Sequence, residues 1–489
     1  MSFTSVQFAL FFPAVFLFYW LLPHRLRWAV LLCADAFFYW AGGQPGLCWA
    51  LGAAALCSYG AARMLEKSKG RGKRRFWLIV GAGGPAALLL FFKYTGFFLS
   101  AFSIGAPSFL FQLALPLGIS YYTLQTVSYV VDVYRGGLRA ERHFGCYLVY
   151  LTFFPLFLSG PIERAGSFLP QLRQKRGFCY EQGLSGAVLV LLGLFQKMAV
   201  ANNLANFADT AFQNPASVTG MSLLFAALLY TLQIYADFAG YSNMAVGLAK
   251  MLGFNLTQNF KQPYFACSMR EFWNRWHISL STWLRDYIYI PLGGSRRGKA
   301  RRALNLMATF LFSGFWHGAG ICFIVWGALH GAYQVLGRWT APLRQKLWRL
   351  VHISEQNAFA KLLKMACVFF LAGFAWLFFR VGSLGPDAAM PASLSTVWYI
   401  LGKIGAEFSL SFTAAANGLV MLGLTPVYLF RVAFLCVLFL AVEWCGRKCG
   451  PDVLILRQKT PVKLGLCYLL VFCAFFMSGA GDSFLYFQF

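Results

Sequence analysis

Residues 305–333 read NLMATFLFSGFWHGAGICFIVWGALHGAY. Two apolar runs flank the segment FSGFWHGAG at 312–320, and one imidazole, His317, stands within it among Gly314, Gly318 and Gly320. The meaning of that imidazole depends on the solvent around the two runs. The 489-residue chain is 59% hydrophobic, 18% aromatic and only 12% charged, whereas soluble domains carry charge on about a quarter of their residues. It has too few polar groups to cover a surface, so part of that surface must face lipid. Apolar runs at 5–23, 77–102, 183–204, 428–446 and 464–480 reach the roughly 17–25 residues that cross a bilayer as a helix. Lipid offers the backbone no hydrogen bonds, so the expectation is helix throughout. The expected fold class is an all-α polytopic membrane protein with about 10–11 transmembrane helices plus re-entrant or interfacial helices. The opening MSFTSVQFALFFPAVFLFYWLLP has no base before its apolar run and no small-x-small site after it, and reads as a retained first helix.

Lysine and arginine total 42 against 16 acidic residues, a net charge of +26. In a soluble protein that excess would point to nucleic acid. Here the bases sit in short loops between apolar runs, as the positive-inside rule requires, and no nucleic-acid partner is expected. The basic stretches at 25–27, 63–75 and 135–142 are assigned to the cytoplasmic side. The uncharged turns at 42–46 and 103–110 and the tail GDSFLYFQF at 481–489 are assigned outside. Two segments break the alternation. The run 145–159 is short, basic on both flanks and ends in Ser-Gly-Pro, so it reads as re-entrant from the inside. Bases at Arg296–Arg302 and Arg338–Arg349 bracket residues 303–337, where two crossings would need about 40 residues. That stretch is expected to dip in and return, or to cross on two short broken helices, with His317 near the tip. Residues 385–427 carry no clear pattern. The chain is read as one integral-membrane domain, 1–489, with the motifs in 113–380 and flanking helices in 1–112 and 381–489. Most of the 13 cysteines lie in apolar runs and read as small core residues. No metal site is expected, including at Cys445 and Cys449, which lack a second ligand pair.

Six histidines are present, of which His24, His143 and His352 lie beside basic loops and His330 lies on a helix-like apolar run as a packing residue. An ionisable group inside a membrane marks a functional site by default, and a neutral buried imidazole can serve as a general base. For His317 the plain alternative is an imidazole hydrogen-bonded within its own helix, and position alone leaves both open. His277 lies in EFWNRWHISLSTWLRDYIYIPLGG, 271–294. Trp273, Trp276, Leu280, Trp283, Leu284 and Tyr287 recur at i, i+3, i+4 and i+7, which predicts one amphipathic interfacial helix with His277 on its apolar face. His277 is either packing there or a second polar group near His317. Asp237, within the apolar LLYTLQIYADFAGYSNMAVGL, is either a polar wall of a site or a carboxyl paired with a nearby base. The chain has no GxSxG, no GxxxxGK[ST], no HExxH and no GxGxxG. A base, a dry pocket and an activated thioester would suffice for acyl transfer without any of these.

The stretch QIYADFAGYSNMAVGLAKMLGFNLTQNFKQPYFACSMREFWNRWHISLSTWLRDYIYIPLGG at 233–294, together with FSGFWHGA, closely resembles the membrane-bound O-acyltransferase (MBOAT) family. LPLGISYYTLQTVSYVVDVYRG at 115–136, SGPIERAGSFLPQL at 159–172, WLFFR at 376–380 and the final YFQF resemble its bacterial alginate O-acetyltransferase branch. The resemblance implies helices around a central tunnel through the membrane. It implies His317 as catalytic histidine and His277 as the second motif histidine, and Trp273, Trp276, Trp316, Asp237 and Asn305 are added as candidate substrate-binding residues. It further implies no bound cofactor, and a donor thioester, either acetyl-CoA or an acyl-carrier thioester. The acceptor would be a polysaccharide or cell-wall glycan, with an SGNH-type extracytoplasmic partner and a place in the bacterial cytoplasmic membrane. D-alanyl transfer to teichoic acid from a carrier protein is an alternative within the family. A lipid-linked sugar transporter or flippase is the alternative outside it.

Overall fold

The computed structural model describes residues 1–42, 45–102, 113–157, 160–385 and 387–479. The turn assigned to 103–110, part of the 42–46 turn, the tail 481–489 and its final YFQF lie outside the described residues. Helices account for nearly all of the regular structure among them, as an apolar solvent requires. Among the described residues, five helices are long and apolar enough to cross a membrane: Arg71–Ser100, Tyr180–Gln213, Gly220–Met251, Ala358–Gly382 and Pro426–Gly446. Shorter apolar helices cover Val6–Leu21, Phe412–Met421 and Thr460–Phe476. The first and last of these, with 16 and 17 residues, are about 24–26 Å long against a hydrocarbon core of about 30 Å. The expected count of about 10–11 crossings thus drew on short helices as well as the five long ones. Residues 385–427, featureless in sequence, form two short helices, Leu394–Ala406 and Phe412–Met421. Each starts on a serine hydroxyl, Ser393 or Ser411, that accepts a backbone N–H of the first turn.

The chain divides into two compact units. The first comprises Met1–Val190 and Tyr241–Gln258. It contains the short segment expected to be re-entrant, which forms helices Phe144–Thr152 and Phe154–Phe157 with a break at Phe153. The break exposes backbone and side-chain donors that lipid could not satisfy. Buried Asp35 takes them: its Oδ1 accepts the Phe154 N–H at 2.7 Å and its Oδ2 accepts the Thr152 hydroxyl at 3.0 Å. Phe153, Phe168 and Phe254 pack around the break with ring centroids 5.1–5.3 Å apart.

The second unit comprises Leu191–Gly240 and Asn259–Phe489. Its centre is a helical hairpin. Gly298–His317 forms one arm and Ile321–Trp339 the other, joined by the turn at 318–320. Neither arm is broken, and 20 and 19 residues give each about 30 Å. The stretch forms two continuous helices joined by this turn, not broken ones, with His317 at the tip of the hairpin. The arms touch backbone to backbone at Gly314 and Gly327. A Cβ on Gly314 would lie 3.1 Å from the Phe323 carbonyl carbon and 3.3 Å from the Gly327 Cα, and nearer still to the Phe323 oxygen. Only glycine permits this approach.

Candidate functional site

His317 closes the first arm of the hairpin and is 3% exposed. Its ring lies against Trp316 at 4.9 Å, Trp326 at 5.0 Å and Phe379 at 5.4 Å. Trp326 comes from the returning arm, and Phe379 from the Ala358–Gly382 helix. Trp326 in turn meets Trp273 at 5.9 Å and Trp376 at 5.6 Å, and Trp376 meets Trp276 at 4.9 Å. Trp316 thus touches His317 directly, and Trp273 and Trp276 are joined to it through Trp326 and Trp376, which with Phe379 the sequence pattern does not single out. WLFFR at 376–380 holds two of them, and their roles emerge only when three helices converge.

The helix expected over 271–294 is instead broken at the histidine. Met269–Arg275 ends, Trp276 is extended, and His277 takes φ 43°, ψ 54° before Ile278–Leu284 resumes. Apolar periodicity predicted continuity, but hydrogen bonds to a neighbouring loop override it. The Ile278 N–H donates to the Asn259 carbonyl at 2.9 Å and the Arg275 carbonyl accepts from Lys261 N–H at 2.9 Å. The Ser279 hydroxyl donates to Asn259 Oδ1 at 2.6 Å. A positive φ in a non-glycine residue is costly and clusters at functional sites. His277 is 1% exposed, and its ring sits edge-on to Phe238 at 4.7 Å. Lying outside the five spans, it is held neutral by burial, which lowers its pKa to about 3.

His330, read as a packing residue, is fully buried and supports the tryptophan wall. Its Nδ1 accepts the Trp273 indole N–H at 3.2 Å, and its ring meets Trp326 at 4.9 Å. Asn305 donates through Nδ2 to the Gly294 carbonyl at 3.0 Å and so anchors the Gly-Gly turn before the hairpin. Asp237 forms a buried ion pair with Lys197 at 2.7 Å, the paired carboxyl that the sequence held open.

Two cavities lie within the second unit, and His317 lines neither. The larger, about 420 Å³, is bounded by Trp273, Asn274, Gln334 and three arginines, Arg270, Arg285 and Arg338. Buried Nε and Nη1 of Arg338, and Nε of neighbouring Arg302, have no hydrogen-bond partner. It lies at the basic end of the hairpin, the end that charge assigns to the cytoplasm. The smaller, about 300 Å³, is lined by Lys197, Asp237, Gln233, Asp209 and Arg380, among others. Arg380 directly follows the Phe379 that touches His317, at the far end of the Ala358–Gly382 helix from Lys361 and Lys364. Among the described residues no cluster of His, Cys, Asp and Glu could hold a metal.

Residues 139–377 match the model of the MBOAT, membrane-bound O-acyltransferase, family. A probable alginate O-acetylase AlgI of Pseudomonas putida is 37% identical over 409 residues, covering 80% of this chain and 79% of the relative. The peptidoglycan O-acetyltransferase of Helicobacter pylori is 31% identical over 519 residues, covering 98% of this chain and 95% of the relative. The teichoic acid D-alanyltransferase of Bacillus subtilis is 28% identical over 241 residues, covering 46% and 60%. The helical, apolar chain is a multi-pass protein of the bacterial inner membrane and an O-acyltransferase. By the family match and these long relatives, the chain belongs to the membrane-bound O-acyltransferase family.

Proposed function

We propose that this enzyme moves an acetyl group from a cytoplasmic thioester donor to hydroxyls of an extracytoplasmic polysaccharide, with His317 as general base. The observation that carries this reading is the burial of His317 in an aromatic wall whose Trp273 also lines an arginine-rich cavity. In the reaction, His317 takes the proton of the acceptor hydroxyl as the oxygen attacks the thioester carbonyl carbon. The carbon–sulfur bond then breaks, and the imidazolium returns its proton to the leaving thiolate. The last turn of a helix presents its negative dipole end beside the ring, which favours the imidazolium. The tryptophans exclude water, which would otherwise hydrolyse the thioester.

Arg270, Arg285 and Arg338 suit the phosphates of acetyl-CoA or of a carrier's phosphopantetheine, since guanidiniums bind phosphate through paired N–H groups. His277, Trp273 and Trp276 position the acyl group, and Trp316 seals the base. The peptidoglycan and alginate O-acetylating relatives support acetyl as the group and a glycan as the final acceptor. An SGNH-type extracytoplasmic partner carries the acetyl to the glycan where the polymer cannot enter the membrane. The test uses inside-out membrane vesicles supplied with radiolabelled acetyl-CoA or with D-alanyl carrier protein. Acetyl transfer lost in His317→Ala supports the reading. Transfer of D-alanine alone would replace acetyl with the aminoacyl group named for the Bacillus relative.

A further inference from the structure

Attack on a thioester turns its carbonyl oxygen into an oxyanion, and the transfer described above names no group that meets this charge. We propose that the indole N–H of Trp326 and the Nε2–H of His330 are the donors that stabilise it. The inference deepens the acyl-transfer reading and rests on transfer beside His317. In the step, the acceptor oxygen gives its proton to His317 and bonds to the carbonyl carbon, while the carbonyl π pair moves onto the oxygen. The two N–H groups hold that charge until the pair returns. The carbon–sulfur bond then breaks with its electrons on sulfur, and the imidazolium proton passes to the thiolate.

Trp326 and His330 lie four residues apart on the returning arm of the hairpin, so they share a helix face, and both are 0% exposed. Trp326 Nε1 and His330 Nε2 nevertheless have no hydrogen-bond partner among the described residues. The position of the His330 proton follows from its neighbour. The indole of Trp273 can only donate, so Nδ1, which accepts it at 3.2 Å, carries no proton, and the proton of the neutral ring sits on Nε2. The wall thus holds two buried N–H donors with nothing to donate to. Burying a donor unpaired costs about 1–3 kcal/mol, and such groups are few in folded proteins and call for an explanation.

Their place in the wall supplies one. Ring contacts run from Trp273, which lines the arginine-rich cavity, to His330 at 5.1 Å, then to Trp326 at 4.9 Å and to His317 at 5.0 Å. A thioester carbonyl coming from that cavity to the base meets both donors. The oxyanion forms two bonds away from the oxygen that the base deprotonates, so a donor to it belongs on a ring bordering the base, as Trp326 is. Trp376 is equally buried in the same wall, but its indole N–H already donates to the Tyr264 hydroxyl at 3.2 Å.

The test pairs acetyl-CoA kinetics in inside-out membrane vesicles with inhibition by a trifluoromethyl ketone analogue of acetyl-CoA, whose hydrate resembles the tetrahedral intermediate. Trp326→Phe keeps a ring and removes the N–H. His330→Asn keeps an oxygen for the Trp273 indole and removes the far donor. Each should lower kcat about 100-fold, leave the acetyl-CoA KM within about threefold of native and weaken the ketone by about tenfold or more. Unfolding midpoints establish that each variant is folded. In Trp376→Phe, where the lost N–H is already committed, any loss should fall equally on the ketone and on acetyl-CoA. Purified His317→Ala in nanodiscs should still bind the ketone, and adding Trp326→Phe should weaken that binding by about tenfold or more. Failure of the base is thus read from transfer in His317→Ala, and failure of the donors from the ketone. Native kcat in both folded donor variants, or losses in them that fall equally on the ketone and on acetyl-CoA, would overturn the proposal.

Discussion

Replacing Gly314 with alanine should cripple acyl transfer while leaving a folded protein. The added methyl would stand 3.1 Å from the Phe323 carbonyl carbon and 3.3 Å from the Gly327 Cα. Carbon atoms in favourable contact are about 3.5–4.0 Å apart, and the Phe323 oxygen lies nearer than either carbon, so the hairpin arms must separate by about 1 Å or more at this level. Overpacking of that size costs about 1–3 kcal/mol, which a folded membrane protein survives. His317 lies three residues further along the same arm and Trp326 is the neighbour of Gly327 on the other. The separation therefore acts directly on the 5.0 Å ring contact between them. A displacement of about 1 Å in a reacting group costs on the order of 100-fold in rate. The assay is vesicle acetyl transfer at matched protein levels, with the unfolding midpoint measured beside it. Gly320→Ala is the control, because a methyl there meets Phe323 at an ordinary 3.6 Å in extended backbone. Native transfer in Gly314→Ala, or equal losses in both variants, would refute the reasoning.

Four other outcomes follow from the geometry. Lys197→Met should destabilise by about 3–5 kcal/mol by removing the cation of its buried ion pair with Asp237, and Lys197→Met/Asp237→Leu should recover most of that in thermal unfolding. Asn259→Ala removes the acceptor of the Ser279 hydroxyl and should cost about 1–3 kcal/mol, with transfer falling as the strained His277 backbone relaxes. Arg338→Ala should raise the donor KM about tenfold with little change in kcat, read by varying acetyl-CoA. His277 has a folded pKa of about 3 against 6.5 for the free group. The unfolded chain therefore binds the proton first as pH falls, and stability is full above pH 6.5 and lost below it. Between pH 7.5 and 5 the loss is about 2 kcal/mol, and His277→Asn, which tolerates positive φ, should remove that part of the slope in unfolding scans.

The membrane class and the main long helices were legible because lipid imposes uniform apolar runs and basic loops, and the hairpin could be anticipated from the bases bracketing 303–337. His317 stood out as a candidate for the same reason: an imidazole in such a run is costly to keep in a membrane, although position alone left a task and a packing role both open. The break at His277 was not legible. Trp273, Trp276, Leu280 and Trp283 keep helical spacing on both sides of it, and what interrupts the helix is a set of hydrogen bonds accepted by Asn259 and donated by Lys261 on the preceding loop. Lys197, Gln233 and Arg380 escaped notice because each is an isolated polar residue on a different apolar helix. They become a cavity only after three helices pack together. His330 looked like packing, and only the indole of Trp273 at 3.2 Å reveals that it also holds a ring of the wall beside His317.

The most direct test of the central claim is the O-acetyl ester content of the cell-surface polysaccharide in four strains: native, deleted, His317→Ala and Gly320→Ala. Membrane levels of the protein should be equal in the three that carry it. Transfer through His317 predicts that esters vanish alike in the deletion and in His317→Ala and persist in Gly320→Ala. Esters retained in His317→Ala, with the deletion empty, would contradict the assignment of the base.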